Sequence, residues 1–374
     1  SNWQIHDVIR GATVGGNAQT LRANNSDQEV SQSLKLEPNP TGFTSSQGVN
    51  GYNGIYMAIR RGGMQTPSTA SDVFAIDNQT ASSAPFLTSN FPVDMVIRKD
   101  TAGGNSEVMT RLTQGTALLA NSDGAESSDS VAQFDFNDGC LDNTSTDTSR
   151  YGWMWKRARG YFDVVAYDGT GSARTVSHNL GVAPEMMWVK SRETVLNATD
   201  WWVFHKNLST PADDSLRLNS SGAENTGNGA LLWNSTTPTS SVFSLGTYSS
   251  VNQSGKNFIA YLFATVTGVS KVGSYTGSSS SAVTVDCGFS NGARFVLIKS
   301  VDGSGNWYLY DSVRGINSSA DDAQLFLNTT DAETNNSNNI DPHSSGFTVT
   351  QQANSPISQN NETFIFYAIA NDPS

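Results

Sequence analysis

The nine-residue phrase "LRLNSSGAE" at 216–224 constrains this chain more than any other feature, because variants of it stand at three other places. They are "LRANNSDQE" at 21–29, "LLANSDGAE" at 118–126 and "LFLNTTDAE" at 325–333, always with Leu first, Asn fourth and Glu ninth. The spacing is 97 residues from Leu21 to Leu118, 98 from Leu118 to Leu216 and 109 from Leu216 to Leu325. A second element precedes each copy: "WQIHDVIRG" (3–11), "EVMTRLTQG" (107–115), "WWVFHKNLS" (201–209) and "WYLYDSVRG" (307–315). An aromatic-rich stretch follows each: "GIYMAIRRG" (54–62), "YGWMWKRARG" (151–160), "NFIAYLFATVTG" (257–268) and "TFIFYAIAN" (363–371). Recurrence of three elements in one order marks a tandem array. Its units run 63–160, 161–268 and 269–374, and residues 1–62 carry only the back half of a further unit. A pattern already under way at residue 1 reads as a processed or excerpted chain.

The front halves contribute "YFDVVAYDGTG" (161–171) and "SKVGSYTGSSS" (270–280), then "FPVDMVIRKD" (91–100), "APEMMWVKSR" (183–192) and "GARFVLIKSV" (292–301). Alternation in "FDVVAY" and "FVLIKS" predicts half-buried strands bounded by Gly, Pro and Asn. Six or seven short strands per unit, with no long amphipathic pattern, predict an all-β fold. The expected architecture is a tandem array of β-sandwich repeat domains, Ig-like or jelly-roll-like, strung like beads with a core in each. The 8 Trp, 11 Tyr and 17 Phe suffice for those cores and argue against disorder.

A net charge of −12 argues against a nucleic-acid partner, whose phosphates demand clustered Lys and Arg. The lone Cys140 and Cys287 suit buried free thiols better than a disulfide framework. No apolar run approaches the length of about 18 residues that a spanning helix needs, so no membrane insertion is expected.

The recurring Glu invites a catalytic reading, but Ser26-x-x-Glu29, Asp123-x-x-Glu126, Ser221-x-x-Glu224 and Thr330-x-x-Glu333 all match a capping box. In such a box each residue of the pair satisfies a backbone N–H of the other, so a short helical turn is expected after each pair. The histidines form no catalytic pattern. Aligned by sequence, His205 corresponds to Asp7, Arg111 and Asp311, which share no chemistry. No His/Cys pair has zinc spacing and no acidic series matches a calcium loop, so neither metal nor cofactor is expected. The loop "GNGALLWNSTTP" (227–238) is the longest of its kind, and its Leu232 and Trp233, with Trp201, are the candidate contacts for a glycan or protein. The competing reading packs Trp233 on an adjacent unit, and places one of Trp201 and Trp202 in the core.

The segments "DVIRGAT", "IYMAIRRGGMQTP", "FDVVAYDGTGSARTVSHNLGVAPEMMWVK", "WNSTTPTSSVF" and "LNTTDAE" resemble a family of marine bacteriophage virion proteins. The resemblance implies a non-enzymatic structural protein on the virion surface, most simply a tail fibre or other appendage contributing to host attachment. It implies as partners other virion proteins, further copies of the chain in a homo-oligomer with three chains favoured, and a host surface glycan or protein. It brings no catalytic residues. The alternatives are a bacterial surface adhesin or lectin and a glycan-degrading tailspike. The last needs paired carboxylates about 5–9.5 Å apart, outside the repeated cap, and candidates such as Asp213 and Asp214 have no supporting pattern.

Overall fold

A computed structural model of the chain describes residues 3–7, 17–24, 26, 28, 30–33, 36–39, 42–45, 55–59, 63–81, 83–128, 132–142, 146–197, 199–318, 320–335, 337–352 and 355–372. It is an all-β structure. Its helices are single turns, the α-helical ones being Gly229–Leu232 and Ser249–Asn252.

One strand order recurs in three large antiparallel sheets. An opening strand (Phe74–Gln79, Phe162–Asp168, Ser270–Thr276) lies beside a closing strand (Asp147–Trp155, Asn257–Phe263, Thr363–Ala370). The closing strand pairs on its other side with what we call the lysine strand (Met95–Asp100, Met186–Ser191, Ala293–Ser300). A fourth strand (Glu107–Thr110, Trp202–His205, Tyr308–Asp311) and a fifth (Thr116–Leu119, Leu216–Arg217, Leu325–Phe326) complete the series, with Ser127–Ser128 added at the edge of the first sheet. A smaller sheet covers one face of each, for example Arg174–Ser177 with Val242–Leu245.

Both faces of these sheets are buried, which corrects the expectation of half-buried strands. Along Asn257–Phe263, Phe258, Ala260 and Leu262 enter a core private to their own unit. Ile259, Tyr261 and Phe263 point the other way, into a core shared by all three units. The same division separates Met187 and Val189 from Met186 and Trp188, and Met154 from Trp153 and Trp155. Side chains alternate between faces with period two. A strand with an apolar environment on both faces therefore reads as a nearly continuous apolar run.

The shared core also overturns the beads. Phe263 of the third unit meets Tyr367 of the fourth at 5.1 Å between ring centroids, and Phe74 and Trp155 of the second each meet Phe295 of the fourth at 5.5 Å. Aromatic pairs at such separations contribute beyond their buried area.

Volume is traded between units at fixed positions. Val165 pairs with Ala260 in the third, whereas Gly273 pairs with Phe366 in the fourth. A Cβ on Gly273 would stand 2.7 Å from the Phe366 ring, so the large side chain requires the glycine.

Among the described residues of the first 62, Gln4–Ile5, Asn17–Arg22 and Val30–Ser33 make one sheet, and Leu36–Asn39 pairs with Gly42–Ser45.

Candidate functional site

The recurring residues converge on the interfaces between units. The phrase Asn fastens the phrase to its own unit. Asn219 Oδ1 accepts the N–H of Trp201 at 3.1 Å, Asn328 that of Trp307 at 2.8 Å and Asn121 that of Ser106 at 2.9 Å. The residue before each Asn completes this staple: the N–H of Leu218, Leu327 and Ala120 donates to the carbonyl of Trp201, Trp307 and Ser106.

From this staple the phrase reaches the next unit. Glu126 N–H donates to Arg192 O at 2.9 Å, Glu224 N–H to Val301 O at 2.9 Å and Glu333 N–H to Thr101 O at 2.8 Å. These contacts run from the second unit to the third, from the third to the fourth, and from the fourth back to the second. The units therefore close into a ring with pseudo-threefold symmetry.

Two further contacts follow the same cycle. Lys190 Nζ donates to Asp123 O at 3.1 Å, Lys299 Nζ to Ser221 O at 3.4 Å and Lys99 Nζ to Thr329 O at 2.7 Å. Burial pushes all three ammonium groups down to about 8, opposed by Asp123 and Asp200, by Glu362 and by Asp331 respectively. Trp201 Nε1 donates to Leu119 O at 2.8 Å and Trp307 Nε1 to Arg217 O at 3.0 Å. In the second unit Ser106 occupies the tryptophan position, and its Oγ lies 3.5 Å from Phe326 O.

This register corrects the sequence alignment of the second unit by one residue. Val108, Val203 and Leu309 pair with Leu118, Leu216 and Leu325. The counterpart of His205 is therefore Thr110, not Arg111. With Ser in place of Trp, the sequence offered no anchor for the register.

The capping boxes are not formed at the three phrases described in full. No helix starts at Asp123, Ser221 or Thr330, and the segments from these residues to Glu126, Glu224 and Glu333 belong to no helix or strand. The hydroxyl one position earlier makes the local turn instead: Ser122 Oγ, Ser220 Oγ and Thr329 Oγ1 accept from the N–H two residues on. The glutamates are spent on cations and hydroxyls. Arg192 grips Glu126 through two bonds of 2.8 Å, Arg314 reaches Glu333 at 2.7 Å, and Ser209 N–H donates to Glu224 at 3.1 Å. Of the first phrase, Ser26 is exposed and Glu29 lies outside the described residues.

The proposed contact residues are interior. Trp233 and Leu232 are buried in the private core of the third unit, where Trp233 Nε1 donates to Asp214 O at 3.1 Å and its ring meets Phe204 edge-on. Trp201 and Trp202 are both buried, the first in the shared core and the second in the private one. A two-sided sheet leaves neither face for solvent. Cys140 and Cys287 are buried free thiols, which burial pushes up to about 12.

Beyond the recurring contacts, each junction has its own polar chemistry. Between the second and third units, Arg157 donates from its N–H to Asp94 at 2.7 Å and from Nε to Asp163 at 2.6 Å. Between the fourth and second, the buried Asp311 accepts from Arg314 Nε at 2.6 Å and from Trp153 Nε1 at 3.1 Å, with Arg314 lying over the Trp153 ring. Between the third and fourth sits His205, fully buried. Burial, aided by the Lys206 charge, drives its imidazole down to about 3, and its Nδ1 accepts from Asn207 N–H at 3.1 Å. A cleft of about 330 Å³ opens nearby, with Lys206, Lys271 and Asp286 among its lining residues. Among the described residues, no group of three or more His, Cys, Asp or Glu side chains is placed to hold a metal ion.

The fold and its interfaces thus define a ring of three interlocked all-β units. The sequence matches the family described as a domain of unknown function (DUF7483) over residues 81–373, most of its length, and the chain belongs to that family. No curated protein matches it.

Proposed function

We propose that this chain is a non-enzymatic structural component of a bacteriophage virion, a tail fibre or related surface appendage that contributes to host attachment. One observation carries the structural part of the reading. The recurring Asn, Glu, Lys and Trp residues, which a catalytic hypothesis would claim first, are engaged in stapling each unit and locking it to the next. The resemblance to marine phage virion proteins supplies the setting. On this reading the chain sits at the particle surface among other virion proteins, three chains assemble together, and the appendage meets a glycan or protein on the host.

Immunogold electron microscopy of intact particles, with antibodies raised against the ring, tests this directly. Label along a tail appendage is the expected result, and particles free of label would overturn it. Incubation with host polysaccharide separates the tailspike alternative. No release of reducing ends is expected, and release abolished by Asp213→Asn or Asp214→Asn would establish a glycosidase instead.

A further inference from the structure

The three junctions carry different charges at one pair of corresponding positions. The first position follows the fourth strand of one unit, and the second lies on the opening strand of the next. The pairs are Arg111 and Asp163 between the second and third units, Lys206 and Lys271 between the third and fourth, and Ser312 and Ala75 between the fourth and second. In the first pair the charges are opposite and spent inside the protein, Arg111 on Asp94 at 3.6 Å and Asp163 on Arg157 at 2.6 Å. The last pair is uncharged. At the junction of the third and fourth units, two cations line one space, the cleft of about 330 Å³. Lys206 reaches Glu185 at 2.8 Å, whereas Lys271 joins no ion pair and donates no hydrogen bond among the described residues. Asp286 lines the same cleft but pairs with neither lysine, and its Oδ1 accepts from Gly288 N–H at 2.8 Å. Two cations lining one cleft repel each other, and an anion between them turns that cost into an attraction.

The remaining lining groups decide what kind of anion fits. Ser274, Thr284 and Asp286 are exposed and Asn207 is half-buried. Asn207 Oδ1 is itself buried and accepts no hydrogen bond among the described residues. Acceptors such as this amide oxygen and the Asp286 carboxylate need donors, which a bare inorganic dianion lacks and sugar hydroxyls supply. We propose that the cleft between the third and fourth units binds an acidic sugar, a uronate. Its carboxylate lies against Lys271 and Lys206, and its hydroxyls meet Asn207, Asp286, Ser274 and Thr284. The volume sits at the lower end of small-ligand sites, which span about 300–1,000 Å³. The inference gives the proposed contact with a host glycan a place and a chemical class, and rests on that reading only for the source of the sugar.

Titration calorimetry of the full chain with tetramers of galacturonate and of glucuronate tests this. A neutral glucose tetramer and sodium sulfate, at matched ionic strength, are the comparators. The expected result is saturable binding of a uronate tetramer at one site per chain, tighter than either comparator by about 10-fold or more, the worth of one charge-assisted hydrogen bond. Lys271→Ala should weaken the uronate by a similar factor. Lys271→Gln, which keeps most of the side-chain stem, should do the same and so separates loss of charge from loss of packing. Sulfate binding as tightly as the uronates would overturn the sugar assignment. Binding of neither uronate, or uronate binding indifferent to both Lys271 variants, would overturn the site itself. Each of these outcomes is distinct from unlabelled particles, which bear on the virion reading and leave the affinity of the cleft as measured.

Discussion

Trp3 and Trp201 occupy the same place in the same local structure and meet opposite fates. Both are stapled by a phrase Asn, and both lead into a strand paired with the phrase Leu. Trp201 is shut inside the shared core with its indole N–H on a carbonyl of the preceding unit, while Trp3 lies open. The staple is a local property of about twenty residues of chain. Burial of the tryptophan is a property of the neighbour. The stabilisation gained by burying this tryptophan therefore comes from closing against another unit, since apolar burial is the dominant favourable contribution to folding.

The contrast breaks most sharply under truncation. Trp201→Ala should destabilise the ring by about 3–5 kcal/mol, the scale for emptying a large core site, while Trp3→Ala should stay within about 0.5 kcal/mol, as exposed substitutions do. Denaturant unfolding of the two variants side by side measures the difference. Equal effects would mean that the shared core contributes little.

The ion pair across the junction of the second and third units comes next. Arg192 is nearly buried and Glu126 partly so. Glu126→Gln should cost about 1.5–3 kcal/mol, the range for hydrogen bonds to charged groups, and Glu224→Gln less, because the Glu224 carboxylate is bonded to Ser209 rather than to a cation among the described residues. If the two substitutions had the same effect, the junctions would be energetically equivalent despite their different side chains.

His205 adds a pH dependence peculiar to its junction. Its folded pKa of about 3 lies below the ordinary 6.5, so between those values the unfolded chain binds a proton that the native ring refuses. Stability is complete above pH 6.5 and falls as the pH drops towards 3, by up to about 1.4 kcal/mol per pH unit from this group. Comparison with His205→Gln isolates it from the carboxylates: the variant should lose less stability between pH 6.5 and 4. Parallel profiles would remove His205 from the account.

The smallest effect belongs to the staple itself. Asn219→Ala should lower stability by about 1 kcal/mol, the worth of a net hydrogen bond. A loss as large as that of Trp201→Ala would mean that the staple, rather than the neighbour, sets burial.

The sequence carried the strands and the order of the repeats legibly, because apolar runs bounded by turn residues and a fixed nine-residue phrase are local signals. It misled where the deciding partner is distant. Glu126 matches a capping box within four residues, yet its partner Arg192 is 66 positions away. Alternation in "FDVVAY" suggested one wet face because nothing local reveals that a neighbouring unit covers it. Trp233 stood out in a long loop, but the turn around Gly229–Leu232 folds that loop back over its own core. The second unit was aligned one residue out because Ser106 replaces the tryptophan that marks the register elsewhere.

The central claim is that the ring closes, and the contact from the fourth unit back to the second is the one an open string of units lacks. Thr101→Cys with Glu333→Cys places a thiol pair where the backbones meet at 2.8 Å between Glu333 N and Thr101 O. Under mild oxidation, with Arg192→Cys and Glu126→Cys as the matched pair between consecutive units, non-reducing electrophoresis and peptide mass mapping of the monomer report each cross-link. The account predicts an intramolecular disulfide in both variants. Cross-linking of the consecutive pair alone, with the 101–333 thiols left free, would contradict it.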